Sequence, residues 1–84
     1  MENTRIALIG IIVENTNSVE RLNELLHEYA GYIIGRMGVP NREKGVNIIS
    51  VAIDAPQNII STLSGKIGMI EGINSKVIYD RVRE

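Results

Sequence analysis

Isoleucine and valine supply 22 of the 84 residues, and they are not spread evenly. They gather in four runs: Arg5 to Val13, Tyr32 to Val39, Gly45 to Asp54 and Ile73 to Val82. A β-branched side chain is stiff at χ1 and packs well on a pleated surface, so each run predicts a strand. Between the first two runs the period changes. Val19, Leu22, Leu25, Leu26 and Tyr29 recur at the spacing of one helix face. Asn17 and Ser18 precede them as candidate N-caps, with Glu20 three residues after Asn17, and Gly31 offers a left-handed stop. These signals predict a first helix over Ser18 to Ala30.

The helical period returns between the third and fourth runs. Ile59, Ile60, Leu63 and Ile67 line one face, Asp54 and Gln57 resemble a capping box, Pro56 suits a first turn and Gly68 a stop. Gly65 falls inside this helix, where glycine is unfavourable by about 1 kcal/mol relative to alanine. Either the helix ends early or a partner backbone or ligand approaches there. The second and third runs are joined by a polar turn cluster, Pro40-Asn41-Arg42-Glu43-Lys44-Gly45.

The order is therefore β-α-β-β-α-β. Right-handed crossovers and a short central hairpin make this the split βαβ of an α+β, ferredoxin-like sandwich. The expected sheet is four-stranded and antiparallel, in the order 4-1-3-2, with both helices on one face. One domain spans residues 1–84, and 44% hydrophobic with 23% charged residues excludes disorder as the ground state.

A strand with one wet face alternates apolar and polar residues, and two of these strands do not. In the first run Ala7, Ile9, Ile11 and Val13 point one way, and Ile6, Leu8 and Ile12 the other, with Gly10 among them. In the third, Ile49, Val51 and Ile53 oppose Val46, Ile48 and Ala52. Two helices cover one face. The other would leave an aliphatic patch of a kind monomers seldom expose, so a homo-oligomer is expected, a dimer by default. The pattern alone leaves open which set lies under the helices.

Cysteine is absent and His27 is the only histidine, which removes disulfide, zinc-thiolate and iron–sulfur chemistry. No nucleophile–base pair, phosphate loop or dinucleotide glycine pattern occurs, so neither an enzyme nor a cofactor is expected. A net charge of −1 argues against direct nucleic-acid binding. Lacking a cleavage pattern and any apolar stretch of about 20 residues, the chain reads as cytoplasmic, away from membranes.

The candidate binding residues fall in four places. Asn15, Thr16, Asn17 and Ser18 lead into a helix N-terminus, where free amides favour a carboxylate or another anion; they also serve as ordinary caps. His27 sits off the apolar stripe beside Asn23 and Glu20, as a surface histidine or a ligand-binding one. Arg36 and Arg42 could grip a carboxylate or phosphate, or protect a strand edge by charge. Lys66 adjoins the unexplained Gly65.

The segments Leu22-Asn23-Glu24-Leu25-Leu26-His27, Arg36-Met37-Gly38-Val39-Pro40-Asn41-Arg42-Glu43 and Leu63-Ser64-Gly65-Lys66-Ile67-Gly68, with Gly72-Ile73, carry a resemblance. The chain resembles small regulators of the iron-only hydrogenase system over nearly its whole length. That family is similar to ACT-type regulatory domains and to the C-terminal domain of the nickel-responsive repressor. The resemblance implies a non-catalytic, oligomeric regulator, of transcription or of assembly, that binds a small molecule or a protein partner at a subunit interface. An assembly or maturation factor without a small ligand is the alternative. The likeness to the repressor raises the prospect of a dimer of dimers. It departs at the metal: His27 matches the repressor's helix histidine to within a residue, but the hairpin positions fall at or beside Gly38, Pro40 and Val46, so no nickel or zinc site is expected. Few residues precede the first strand, so the repressor's DNA-binding ribbon is not expected either. Where ACT domains often carry a glycine before the first helix, this chain has Asn17 and Ser18.

Overall fold

A computed structural model of the protein describes residues 3–81, and the four β-branched runs are its four strands. They are β1 (Arg5–Val13), β2 (Ile33–Asn41), β3 (Val46–Ala55) and β4 (Ile73–Tyr79). The last residue of the fourth run, Val82, lies outside the described residues. The sheet order is β2-β3-β1-β4, which is 4-1-3-2 counted from the other edge, and every pairing is antiparallel. Helix α1 (Val19–Glu28) links β1 to β2 and α2 (Gln57–Gly68) links β3 to β4. Both pack on the same side of the sheet, giving the ferredoxin-like βαββαβ arrangement.

Strand alternation decides which side. Ala7, Ile9, Ile11 and Val13 of β1 and Ile49, Val51, Ile53 and Ala55 of β3 are buried. They meet Leu22, Leu25 and Leu26 of α1 and Ile60, Leu63 and Ile67 of α2 in a single apolar cluster. Ile6, Leu8, Ile48 and Ile78 stand on the uncovered side, between 40% and 67% exposed. The face left open by the sequence pattern is therefore the one carrying Ile6, Leu8, Ile12, Val46, Ile48 and Ala52.

The helix ends depart from expectation. Among the described residues only Gly45 and Gly72 have positive φ, so Gly31 and Gly68 are not left-handed stops. The end of α1 instead tightens through short-range bonds, Tyr29 N–H to the Leu26 carbonyl and Ala30 N–H to that of His27. Ser18 does not cap α1 with its side chain. A 3₁₀ turn (Thr16–Ser18) precedes the helix, and the Asn15 side chain accepts from Asn17 N–H to cap that turn. Pro56 is the N-cap residue of α2 and makes no side-chain cap bond. Gln57, expected to close a capping box with Asp54, accepts from Arg5 Nη1 at 3.2 Å. Helix α2 runs through Gly65 without a break, and a Cβ there would meet nothing within 4 Å. The chain's own packing does not require that glycine.

Two ties hold the layers in register. Arg5 bonds Gln57, donates to the Asp80 carbonyl at 2.6 Å, lies 3.4 Å from the Asp80 carboxylate and stacks on Tyr79. It pins the start of β1 to the start of α2 and the end of β4. At the other end of the sheet, the Glu14 N–H donates to the Gly72 carbonyl and the Ser18 hydroxyl to the Glu71 carbonyl. Gly72, at φ 79°, has no room for a side chain, because a Cβ would fall 2.5 Å from that of Asn15.

Candidate functional site

Apart from the contiguous loop residues Asn15 to Ser18, the structure scatters the candidate residues, and only His27 and Arg36 share a cleft. In the loop after β1, Asn15 and Ser18 are occupied in holding the fold together, Asn15 in the 3₁₀ cap and Ser18 on Glu71. Thr16 and Asn17 are exposed beside them. This segment works as a joint between β1 and the α2–β4 turn.

Arg36 and Arg42 do not converge. Six residues apart along an extended chain, they are separated by roughly 20 Å. Arg42 lies in the β2–β3 turn, where Asn41 Oδ1 accepts from Lys44 N–H, and is exposed there. Lys66 lies elsewhere again, its ammonium 5.4 Å from the centre of the Tyr29 ring. The Tyr29 side chain, through hydrogen bonding and then charge, holds the Lys66 pKa above its ordinary value of 10.5. Lys66 lines a depression between the helices with Arg21, Glu28 and Glu71. Charges of both signs compensate one another there.

His27 and Arg36 share a cleft. It has a volume of about 240 Å³ and is lined by Asn23, Leu26, His27, Ala30, Ile33 and Arg36. Its placement follows from the topology. β2 is an outer strand, and Arg36 pairs with Val51, a residue of the helix-covered face. The long side chain therefore rises toward α1, where Nη2 donates to Asn23 Oδ1 at 2.9 Å. His27 follows Asn23 by four residues, so both side chains stand on one edge of α1. Leu26, Ala30 and Ile33 form an apolar floor. Asn23 was not singled out in the sequence; its spacing from His27 was the available signal, and its partner on β2 was not visible there. Among the described residues no three of His, Cys, Asp and Glu stand close enough to share a metal ion.

The second feature with chemical character is the open face of the sheet. Strand register stacks it in rows: Gly35–Ala52–Leu8–Ile78, Met37–Ser50–Gly10–Lys76 and Val39–Ile48–Ile12–Asn74. Met37 and Ile78 are 61% and 67% exposed. A shallow hollow of about 280 Å³ lies among Ile6, Leu8, Ala52 and Ile78. A Cβ on Gly10 or Gly35 would meet nothing within 4 Å. The centre of the face is thus largely apolar, with Ser50 its polar position, and covered by nothing among the described residues. No helix among the described residues is long and apolar enough to cross a membrane.

Residues 5–77 match the profile of the family described as "TM1266-like: Iron-only hydrogenase system regulator, putative". Among solved structures, the chain is similar to the uncharacterized protein TM1266 from Thermotoga maritima, with a TM-score of 0.90 and 31% identity over 94% of this chain and all of that one. A formyltetrahydrofolate deformylase from Pseudomonas putida KT2440 shares the fold at a TM-score of 0.58 and 16% identity, over 90% of this chain and 28% of that one. None of the curated proteins matches the chain.

Proposed function

The chain belongs to the TM1266-like family of iron-only hydrogenase system regulators, and on that premise we propose that it is a non-catalytic regulatory module that acts as a homo-oligomer, a dimer or a dimer of dimers. Its subunits associate through the open face of the sheet, and a small effector or a protein partner is bound at a subunit interface. It works in the cytoplasm without contacting nucleic acid itself, a reading supported by its net charge of −1.

One observation carries this reading: the open face is largely aliphatic and nothing among the described residues covers it. Ile6, Leu8, Met37, Val39, Ile48 and Ile78 lie on it, each 40% exposed or more. Together they offer on the order of 600 Å² of apolar surface, the upper end of what a monomer leaves open and close to the roughly 800 Å² per partner of a standard interface. At ~25 cal/mol per Å² that gives on the order of 15 kcal/mol gross, enough to exceed most of the roughly 4–15 kcal/mol lost on association. The absence of a nucleophile–base pair from the sequence favours regulation over catalysis.

A second reading, an assembly or maturation factor with no small ligand, is favoured by the β1–α1 loop, whose Asn15 and Ser18 are already bonded within the chain. Thermal unfolding separates the possibilities. A folded state that includes self-association melts at a temperature that rises with protein concentration, and an effector of that state raises it further. A concentration-independent melting temperature contradicts the oligomeric reading. A rise with concentration but with none of a panel of amino acids, nucleotides and metal ions favours the assembly factor.

A further inference from the structure

We propose that the cleft between α1 and the outer strand β2 is a binding site for a small aliphatic monocarboxylate, held by Arg36 and His27 over the floor of Leu26, Ala30 and Ile33. It goes beyond the regulatory reading, which puts an effector or partner at a subunit interface: this site lies between α1 and β2 of one chain.

Two arginines, Arg5 and Arg36, rise from the helix-covered side of the sheet. Arg5 has its charge matched: Gln57, the Asp80 carbonyl, the Asp80 carboxylate and the Tyr79 ring surround it, and only its Nε lacks a hydrogen bond. Arg36 has one partner, the neutral Asn23 carboxamide. The ion pairs among the described residues are Arg5 with Asp80 and Arg21 with Glu24, and Arg36 is in neither. No carboxylate lines its cleft. A guanidinium presents five N–H donors in a planar fork. One is spent on Asn23, which holds the group in place, and the rest remain for a ligand. The fork matches a carboxylate in two parallel bonds.

The rest of the cleft narrows the class. His27 stands on the same rim and can offer a ring N–H. The floor is aliphatic, so the ligand carries an apolar body behind its acid group. The volume of about 240 Å³ falls below the roughly 300–1,000 Å³ of drug-sized sites, which suits a short branched chain. The lining comes from α1, the turn after it and the helix-covered side of β2, so the site does not need the open sheet face.

Isovalerate is the probe, read by two-dimensional NMR titration of the full chain with isovaleramide and inorganic phosphate as controls. The expected result is saturable shifts of the Asn23, Leu26 and Ala30 amides with isovalerate, at an affinity at least tenfold above that for either control. Arg36→Gln, checked for a native circular dichroism spectrum, weakens isovalerate by about tenfold or more. If that variant fails to fold, His27→Gln, an exposed position, shows a loss of at least threefold. Equal binding of the amide, binding of phosphate at comparable strength, or unchanged affinity in the arginine variant overturns the proposal, as do shifts confined to other residues. Leu8→Lys separates this site from the oligomeric reading: it keeps isovalerate affinity within twofold even as subunits dissociate. A wild type that binds isovalerate as a monomer would contradict the oligomer and leave the cleft standing.

Discussion

Leu8 and Ile9 are neighbours in the central strand, similar in size and chemistry, with opposite surroundings. Ile9 is fully buried under both helices, while Leu8 is 43% exposed on the bare side of the same sheet. The contrast extends across the fold. One face has its alternate positions filled by side chains that interdigitate with α1 and α2. The other carries Ile6, Leu8, Ile12, Met37, Val39, Ile48 and Ile78, interrupted by Ser50, Asn74 and Lys76, with nothing among the described residues above them. The covered face accounts for the fold of a single chain, since its residues are buried whether or not a second molecule is present. The open face contributes little to that fold, so its hydrophobicity calls for another explanation, and association supplies one.

The strongest way to break the comparison is Ile9→Lys. An ammonium placed in the dry cluster has no partner there and costs several kcal/mol or more, on the scale of the whole stability of a small domain. Circular dichroism should find the variant unfolded; a native spectrum would mean the cluster is far looser than its burial indicates. The next test truncates each side in turn. Ile9→Ala should destabilise by about 2–5 kcal/mol in urea titration, and Leu8→Ala by less than about 1 kcal/mol at dilutions where subunits are apart. Equal losses would erase the distinction between the faces. Ser18→Ala then probes how the covered layer is fastened. It leaves the Glu71 carbonyl without its 2.6 Å hydrogen bond and should cost about 1–2 kcal/mol in the same titration. A change within about 0.3 kcal/mol would show that bond to be idle. The mildest test for the monomer is Gly10→Val. Nothing lies within 4 Å of the added Cβ, so the fold should hold or gain up to about 1 kcal/mol. If association weakens while that stability holds, a partner approaches the sheet closely at Gly10; unchanged association places the contact elsewhere on the face.

The sequence foretold the element order, the sheet order and the two apolar sets in β1 and β3, because period-two and helical patterns are local and repeat over many residues. It could not choose between the sets, since both are aliphatic and only the helices' position decides. The capping signals misled at Gly31 and Gly68, where the helix ends close by tighter backbone turns. The left-handed glycines are Gly45 and Gly72, set by the hairpin and by the close approach of Asn15. Ser18 looked like a cap because its partner, Glu71, is 53 residues away along the chain. Of the candidate site, His27 and Arg36 were chosen for their chemistry and separately. Their meeting with Asn23 depends on β2 lying at the outer edge beside α1. Arg42, picked out on the same grounds, and Lys66, picked out beside Gly65, are left on other parts of the surface.

The central claim is that the open face of the sheet is covered by another subunit. Sedimentation velocity of the wild type and of Leu8→Lys, both at micromolar concentration and both checked for a folded spectrum, tests it most directly. The wild type should sediment as a dimer or larger and Leu8→Lys as a folded monomer, because a lysine on that face puts an unpaired charge into the interface. A monomeric wild type, or a Leu8→Lys variant that assembles as the wild type does, would contradict the account.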